Sequence, residues 1–407
     1  MNDIEKRIAQ IAKEKESSFL ATFRWLHRHP EKSLEEKETT AFIRQRLSDL
    51  RIELIPPFLE TGAVGLLKGG KKGPCIALRC DIDALPVTER STCSFPSEHE
   101  GFMHACGHDT HIASLLCSAE ILSELRKEIC GSVKFIFQPA EEINIGAISY
   151  IDAGVLENPS VSACFSFHNS PEVPVGSVAV LPGPIMAGLH NIGIEITGQG
   201  GHGGIPHRNT DPVVAAAALI QSLQTVVSRN ISPTRAAVVS ICSMQTDNGM
   251  VCNVIPEKVS MRGTVRYYSY EDKELINRRI REISQGIGDA YGCAIEYSTF
   301  ADLPITSNEP LPGQRSLYDI ALKTVEGIGA TAVCPDPSGG GDDFSHYALG
   351  TENKPGVPSF FYWLGIRNEE KDCVYPWHSP HYQADPDAIV IGAKLFALSA
   401  FNAADVF

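Results

Sequence analysis

Apolar positions in the first 188 residues follow helical and strand periods in turn. After residue 110 the apolar residues fall on one helical face, and Asp109 or Thr110 is the expected N-cap of that helix. The predicted helices are 4–27, 34–50 and the segment up to 125, and the predicted strands are 75–80, 131–138 and a run ending at His168. This alternation predicts a mostly parallel sheet flanked by helices.

The pattern changes between residues 189 and 302. A strand, a helix capped by Asp211, two strands, a helix that ends at Gly292 and a last strand follow one another. This β-α-β-β-α-β order is that of a ferredoxin-like domain. After residue 302 an apolar strand and an apolar helix look like a return to the first sheet. We therefore predict an α/β protein whose large domain, residues 1–188 and 303–407, is interrupted by a ferredoxin-like α+β domain.

Composition and charge narrow the class of protein. The chain has 407 residues and a formal charge of −14, without the basic cluster of a nucleic-acid surface. Its first 18 residues are charged and lack the apolar centre of a secretory signal, and no long apolar run predicts a membrane span. The 12 cysteines are scattered singly, as in a protein with reduced thiols. We expect a cytoplasmic protein that binds neither nucleic acid nor membrane.

Polar groups follow several of the predicted strands. Asp81 and Asp83 end one strand, Glu141 and Glu142 close another, and His168 ends a third. Ligands of such sheets bind beyond the carboxyl ends of the strands, so these side chains are expected at one edge. Adjacent carboxylates are commonly just solvated in a turn. A second reason for them is chemical: one coordinates a divalent ion while its neighbour accepts a proton from water.

The stretch "HACGHD" places Cys106 and His108 directly before a helix. Their spacing is too short for half of a zinc finger, and the chain offers no CxxC partner for them. A thiolate and an imidazole separated by one glycine converge on a metal, and the helix N-terminus is expected to lower the pKa of the thiol. A buried structural thiol is the competing interpretation.

Single histidines are more often structural than ligands, but five donors at one sheet edge suit two transition-metal ions. The candidate ligands are Cys106, His108, Glu142, His168 and His378. His381, in the same stretch "WHSPHY", competes with His378 for the last position.

Eight stretches, in order along almost the whole chain, resemble the M20 metallopeptidases. They are "HRHPEKSLEE", "RCDIDALPVTE", "HACGHDTHIA", "FQPAEE", "GGHGGIPHRNTDP", "NVIPEKVSMRGTVR", "GGGDDFSHYA" and "HSPHYQADPDA". The resemblance is to the amidohydrolase branch typified by N-acyl-amino-acid and hippurate hydrolases. It makes the large domain catalytic and the domain 189–302 a lid and dimerisation domain.

The resemblance also implies roles for individual residues. The five donors named above would hold two divalent ions, of Mn, Zn, Ni or Co. Glu141 would be the general base, and Asp83 would orient a ligand. His202 would reach into the active site of a partner subunit to polarise the scissile carbonyl, which implies a homodimer or higher homo-oligomer. Asn253 and Arg266 match positions associated with the free carboxylate of the substrate.

The implied reaction is metal-dependent hydrolysis of the amide of a small N-acyl or N-aroyl amino acid, by a metal-bound water that Glu141 activates. Three alternatives remain open at this stage. One is a dipeptidase or carboxypeptidase on the same dinuclear scaffold. The others are a binding protein with a catalytically silent metal site and an amidase that uses Cys106 as nucleophile.

Overall fold

The chain divides into two units, and its middle segment forms the smaller one. In the computed structural model, which describes residues 2–407, the large unit comprises the segments up to 185, 307–336 and 342–407. The small unit comprises 186–306 and 337–341. The predicted boundaries, after residues 188 and 302, lie a few residues from these breaks. The loop 337–341 groups with the small unit, although the sequence assigned it to the large domain.

The secondary structure has the following bounds in chain order. The helices are α1 (Asp3–Arg28), α2 (Lys37–Asp49), α3 (His108–Glu124), α4 (Gly146–Asp152), α5 (Pro212–Asn230), α6 (Tyr270–Tyr291), α7 (Tyr318–Gly327), α8 (Ser345–Leu349) and α9 (Asp387–Ala404). The strands are β1 (Glu53–Leu54), β2 (Ala63–Lys68), β3 (Lys71–Asp81), β4 (Cys130–Gln138), β5 (Val161–Pro174), β6 (Ser177–Ala179), β7 (Pro184–Met186), β8 (Gly188–Thr197), β9 (Gly201–His202), β10 (Ala237–Thr246), β11 (Val254–Ile255), β12 (Lys258–Tyr267), β13 (Ala294–Leu303), β14 (Thr306–Ser307), β15 (Thr331–Val333) and β16 (Ser359–Arg367).

An eight-stranded sheet forms the centre of the large unit, in the order β1-β2-β4-β3-β5-β16-β6-β15. The four central strands β4, β3, β5 and β16 run parallel to one another, while β2 and β6 pair with them antiparallel. The predicted mostly parallel sheet with flanking helices is confirmed. Because the central strands are parallel, the residues after β3 and β4 emerge at one edge, and that edge carries the candidate site.

Helices α3 and α9 pack against each other and against β3. Almost every residue of α3 is buried, including the polar residues of its first turn, because this helix packs against other helices and against the sheet. Helix α9 is the one helix among residues 2–407 that is long and apolar enough to cross a membrane, with a mean hydropathy of 1.4. Inside the protein, 67% of it is buried, as in a core helix. The sequence analysis had predicted this apolar helix as part of the large domain, but not as a candidate membrane span.

Two local predictions were wrong. Helix α3 begins at His108 with Gly107 as its N-cap, not Asp109 or Thr110, because the Asp109 carboxylate is held by His27 instead. Strand β5 does not end at His168 but continues to Pro174, because β16 pairs with it in parallel as far as Arg367.

The small unit has the predicted ferredoxin-like order. Its four-stranded antiparallel sheet runs β10-β12-β8-β13, and α5 and α6 pack against each other and against the sheet. Asp211 caps α5, with its side chain accepting from the Val213 N–H, and Gly292 ends α6 in the left-handed conformation. Both helix boundaries match the sequence prediction.

Candidate metal centre and active site

Two parallel strands bring four carboxylates to the edge of the large sheet. Asp81 is the last residue of β3 and pairs with Gln138, the last residue of β4. Asp83 follows β3, and Glu141 and Glu142 follow β4 in a tight turn. Ala140, just before them, has a left-handed φ of 59°, an unfavourable conformation for a residue with a Cβ. Strain of this kind persists where the surroundings fix the backbone, as they do around functional groups.

Asp83 fixes the turn that carries the two glutamates. Its carboxylate accepts from the backbone N–H of Glu141 at 3.2 Å and of Glu142 at 3.0 Å, and from the Ser33 hydroxyl at 2.6 Å. The Asp83 backbone carbonyl also accepts from Nδ1 of His108 at 2.8 Å. Asp83 therefore orients three of the predicted functional residues at once.

Gly107 lets Cys106 and His108 point into the site. Its φ is 80°, and a Cβ there would lie 2.2 Å from the Tyr382 hydroxyl and 2.4 Å from the Asn169 amide nitrogen. Since Nδ1 of His108 donates to the Asp83 carbonyl, Nε2 is the ring nitrogen left to bind a metal. That Nε2 is fully buried and has no hydrogen-bond partner. A buried orphan imidazole nitrogen is the form in which histidine binds a metal.

The two remaining histidines approach from β5 and from the loop after β16. Nδ1 of His168 donates to the Asn169 carbonyl at 2.8 Å, and its Nε2 lies 3.3 Å from the Cys106 sulfur. His378 is held at a φ of 63°, its N–H donates to the Ala105 carbonyl, and its Nε2 lies 3.8 Å from a Glu142 oxygen.

The other histidine of "WHSPHY", His381, packs its ring on Tyr375 at 5.3 Å. The geometry therefore favours His378 over His381 as the last ligand, the choice that the sequence had left open.

The five predicted ligands and Glu141 form overlapping groups of donors. In each group the ligand atoms lie within 4.8 Å of one another: Cys106 with His108 and His168, Cys106 with Glu142 and His378, and His108 with Glu141 and Glu142. Cys106, His108 and Glu142 each belong to two of these groups. Thiolate, imidazole and carboxylate donors suit transition-metal ions, and overlapping groups suit two neighbouring ions. The chain's own residues therefore fit a dinuclear centre.

The electrostatics of the site also call for cations. Burial, and then the carboxylates of Asp342 and Glu142, raise the pKa of Glu141 well above its usual range. Burial raises the pKa of Glu142 to about 7, against the opposing effect of His108. One Glu142 oxygen is buried and has no hydrogen-bond partner. Buried carboxylates crowded in this way are stable when positive charge lies among them.

The predicted low pKa of the Cys106 thiol is wrong for the protein without bound ions. Burial, and then the carboxylates of Glu142 and Glu141, raise the pKa of Cys106 well above its usual range. The helix dipole acts only over the first turn, and it is outweighed by desolvation and by two nearby negative charges. A thiolate at this position needs a cation beside it, which also counts against Cys106 as a metal-free nucleophile.

A buried network that the sequence analysis missed supports the ligands from behind. Arg79 is fully buried and pairs with Asp81 at 2.9 Å and Asp343 at 2.7 Å. Asp81 accepts from Nδ1 of His111 at 2.5 Å, and Nε2 of His111 accepts from the backbone and side chain of Asn169. Asn169 donates to the Cys106 carbonyl at 2.7 Å. The chain of contacts thus runs from a buried arginine to a predicted ligand.

Only part of this network had a signal in the sequence. Asn169 directly follows His168 in "FHN", and Arg79 precedes Asp81 in "RCDID", so both stand within motifs that were singled out. Asp343 comes from a distant segment, and nothing local indicates that it meets Arg79.

The remaining predicted residues lie in the small unit. The two-stranded ribbon of β9 and β11 places His202 opposite Val254, and the Gly203 N–H donates to the Asn253 carbonyl at 2.9 Å. His202 and Asn253 are therefore neighbours, and both are exposed. Arg266 lies apart from them on β12, half-buried, with Leu189 and Val238 as its strand partners.

A carboxylate base beside buried thiol, imidazole and carboxylate donors supplies what metal-assisted hydrolysis of an amide requires. The protein is a metal-dependent amidohydrolase, because its relatives carry hydrolase names and its residues 77–402 match the model of Peptidase family M20/M25/M40. The chain belongs to that family, so the resemblance noted in the sequence is confirmed.

Two curated relatives and one solved structure illustrate the range of similar proteins. An N-acetylcysteine deacetylase of Bacillus subtilis (strain 168) is 41% identical over 373 residues, covering 91% of this chain and 93% of the relative. Thermostable carboxypeptidase 2 of Saccharolobus solfataricus is 36% identical, covering 98% and 99%. The crystal structure of the Bacillus subtilis YXEP protein, described as a dinuclear metal binding peptidase from the M20 family, has a TM-score of 0.84 at 36% identity, covering 97% and 100%.

Proposed function

We propose that this protein hydrolyses the amide bond of small N-acyl or N-aroyl amino acids, releasing a carboxylic acid and a free amino acid. The observation that carries the proposal is the position of Glu141. Glu141 is 6% exposed, its N–H is fixed by Asp83, and its carboxylate belongs to one donor group with His108 and Glu142. The similarity to an N-acetylcysteine deacetylase supports the acyl-amino-acid class of substrate.

Each side chain has one task in this reaction. Cys106, His108, Glu142, His168 and His378 would hold two divalent ions of Mn, Zn, Ni or Co. Such ions, when bound, polarise the amide carbonyl and lower the pKa of water. The Glu141 carboxylate accepts a proton as the water oxygen bonds to the carbonyl carbon. It then returns that proton to the amide nitrogen as the C–N bond breaks.

We propose that His202 donates a hydrogen bond to the scissile carbonyl in the site of a partner subunit. Its Nδ1 accepts from the Gly204 N–H at 2.9 Å, so the ring proton is on Nε2, where it is available as a donor. Such a donor stabilises the developing oxyanion.

A homodimer follows from that role. The exposed apolar side chains of the small unit support it, since Val238 on the edge strand β10 is 44% exposed and Met244 is 51% exposed.

Substrate recognition is proposed for Asn253 and Arg266, which would bind the free carboxylate of the amino acid. For Asn253 the support is its position beside His202 on the ribbon. For Arg266, which is half-buried, the support is chemical, because a guanidinium binds carboxylates well. Of the two, Asn253 is the better placed.

The reducing compartment expected from the sequence, the cytoplasm, is also retained as a proposal. All twelve cysteines are free thiols, including exposed Cys242, Cys252 and Cys334. Free thiols persist in a reducing environment.

The test is release of free amino acid from a panel of N-acetyl, N-benzoyl and long-chain N-acyl amino acids. Metal-stripped protein is compared with protein given Mn(II), Co(II), Ni(II) or Zn(II). We expect turnover that depends on added metal, with one acyl class preferred. Metal-loaded protein that leaves the whole panel intact would overturn the proposal.

A carboxypeptidase is the second candidate, and one observation favours it. The similarity to thermostable carboxypeptidase 2 covers nearly the whole of both chains. The same panel therefore includes unblocked dipeptides and benzyloxycarbonyl-blocked amino acids. Preferential cleavage of the free dipeptides over the blocked amino acids would favour peptidase activity over deacylation.

A further inference from the structure

A second cluster of metal-binding side chains lies outside the residues assigned to the active site. His27, Glu89 and Cys93 each present a donor atom, and these atoms all lie within 4.8 Å of one another. His27 comes from the end of α1, whereas Glu89 and Cys93 come from the irregular segment after β3. The mechanism proposed above uses none of the three.

His27 is oriented as metal-binding histidines are. It is 3% exposed, and its Nδ1 lies 2.6 Å from an Asp109 oxygen. Its Nε2 points at the cluster, 3.2 Å from a Glu89 oxygen. A carboxylate on one ring nitrogen fixes the ring and makes the other nitrogen a better ligand. Burial lowers the pKa of His27, but Asp109, Cys93 and Glu89 together raise it well above its usual value, so the cluster already attracts positive charge.

The other two donors are also fixed in place. The Glu89 carboxylate accepts from the Ser97 N–H at 2.6 Å and from the Ser91 hydroxyl at 2.5 Å. The same hydroxyl accepts from the Cys93 N–H at 3.1 Å. A short loop thus holds a carboxylate and a thiol on one side of the His27 ring.

A cavity of about 200 Å³ adjoins the cluster. His27 and Cys93 line it, together with a second thiol, Cys373, and Lys371, whose ammonium is paired with Asp385 and Asp387. One water occupies about 30 Å³ of liquid, so the cavity has room for an ion and several waters. Three clustered donors, of which His27 and Cys93 line an open volume, match the pattern of a tetrahedral ion with one exchangeable position.

We propose that His27 Nε2, the Glu89 carboxylate and the Cys93 sulfur form a third metal site, for a divalent ion of the zinc class, with its fourth position open to the cavity. Thiolate and imidazole donors select such an ion over Mg²⁺ or Ca²⁺. Binding releases the protons of the Cys93 thiol and of His27 Nε2. The proton on His27 Nδ1 stays in place, in the hydrogen bond to Asp109. The ion would tie the end of α1 to the loop 86–97. This proposal goes beyond the amide hydrolysis and does not depend on it.

The first test counts ions. Metal-stripped, reduced full-length protein is loaded with Zn²⁺ and freed of unbound ions by gel filtration. Its zinc content per chain is then measured by inductively coupled plasma emission spectrometry. The wild type is expected to hold one ion per chain more than Cys93→Ser. The matched control is Cys242→Ser, which removes an exposed thiol of the small unit and is expected to hold as many ions as the wild type. Equal ion numbers in wild type and Cys93→Ser would overturn the proposal.

The second test is specific to the position and stays informative if a variant folds poorly. Alkylation of Cys93 in the wild type is followed by peptide mass spectrometry with and without Zn²⁺. At a free ion concentration ten times Kd, a bound thiolate is expected to react about tenfold more slowly. Glu89→Gln should weaken this protection, and Cys242 should react equally fast under both conditions. Unchanged Cys93 alkylation on adding Zn²⁺ would contradict the site, whatever the active-site ions do.

Discussion

Replacing Arg79 with methionine should destabilise the large unit severely. Arg79 is 0% exposed and lies 2.9 Å from Asp81, 3.3 Å from Asp342 and 2.7 Å from Asp343. Its Nε also donates to Gln138 at 3.0 Å. Methionine fills much of the volume but leaves three buried carboxylates without their shared cation. Removing one partner of a buried ion pair costs about 3–5 kcal/mol, and we expect a loss in that range.

Lysine at position 79 separates charge from geometry. Arg79→Lys keeps the positive charge, but an ammonium lacks the planar fork that reaches several acceptors at once. We expect the free energy of unfolding of Arg79→Lys to be about 1–3 kcal/mol below that of the wild type, because some buried acceptors are left without a partner. Arg28→Met is the control, because Arg28 is 44% exposed and pairs with Glu98 only at 3.7 Å. Its effect should be within about 0.5 kcal/mol.

The assay is urea unfolding followed by tryptophan fluorescence. The three tryptophans, Trp25, Trp363 and Trp377, all lie in the large unit, so the signal reports on that unit. Metal content is measured on the same samples, because Asp81 also holds His111. A free energy of unfolding for Arg79→Met within about 1 kcal/mol of the wild type would refute the reasoning.

Three further substitutions test separate features. Cys106→Ser removes the shared thiolate and should lower metal affinity by about 100-fold or more, measured by competition with a chelator; wild-type affinity would contradict its assignment as a ligand. Gly107→Ala forces a Cβ into a left-handed residue against Tyr382 and should cost about 1–3 kcal/mol in urea unfolding, so unchanged stability would contradict the crowding. Burial, and then Asp83, raise the pKa of Glu36 from 4.5 to about 7. As pH rises, Glu36 therefore loses its proton in the unfolded chain before it does so in the folded protein, which favours the unfolded chain. The free energy of unfolding of metal-free protein should fall by up to about 3 kcal/mol between pH 4.5 and 7. In Glu36→Gln the free energy of unfolding should fall less over this pH range. The same fall as in the wild type would contradict the role of Glu36.

Periodicity predicted the two folding patterns, because it reports which face of an element is buried. The alternating strands and helices of the large unit and the ferredoxin-like order of the small unit both follow from local sequence. The ends of α5 and α6 were also predictable, since Asp211 and Gly292 act on the backbone beside them.

Features set by distant residues were not predictable. The start of α3 was misplaced because Asp109, a good cap by type, is held by His27 from α1. The pKa of Cys106 was predicted in the wrong direction because burial, and then two glutamates from the turn after β4, outweigh the helix dipole. Arg79 meets Asp343 across 264 positions, and no local pattern indicates that contact. The five donors had a motif signal, and the structure brings them together, but their roles stay predictions.

The proposed division of labour between Glu141 and the ligands is tested most directly with Glu141→Gln. Metal content and turnover of an N-acetyl amino acid are measured on the same sample, beside Glu157→Gln, whose side chain is 48% exposed. We predict that Glu141→Gln keeps the wild-type number of ions while kcat falls by about 10²–10⁴-fold, the usual contribution of a general base. The control should match the wild type in both. Near-normal turnover by metal-loaded Glu141→Gln would contradict the account.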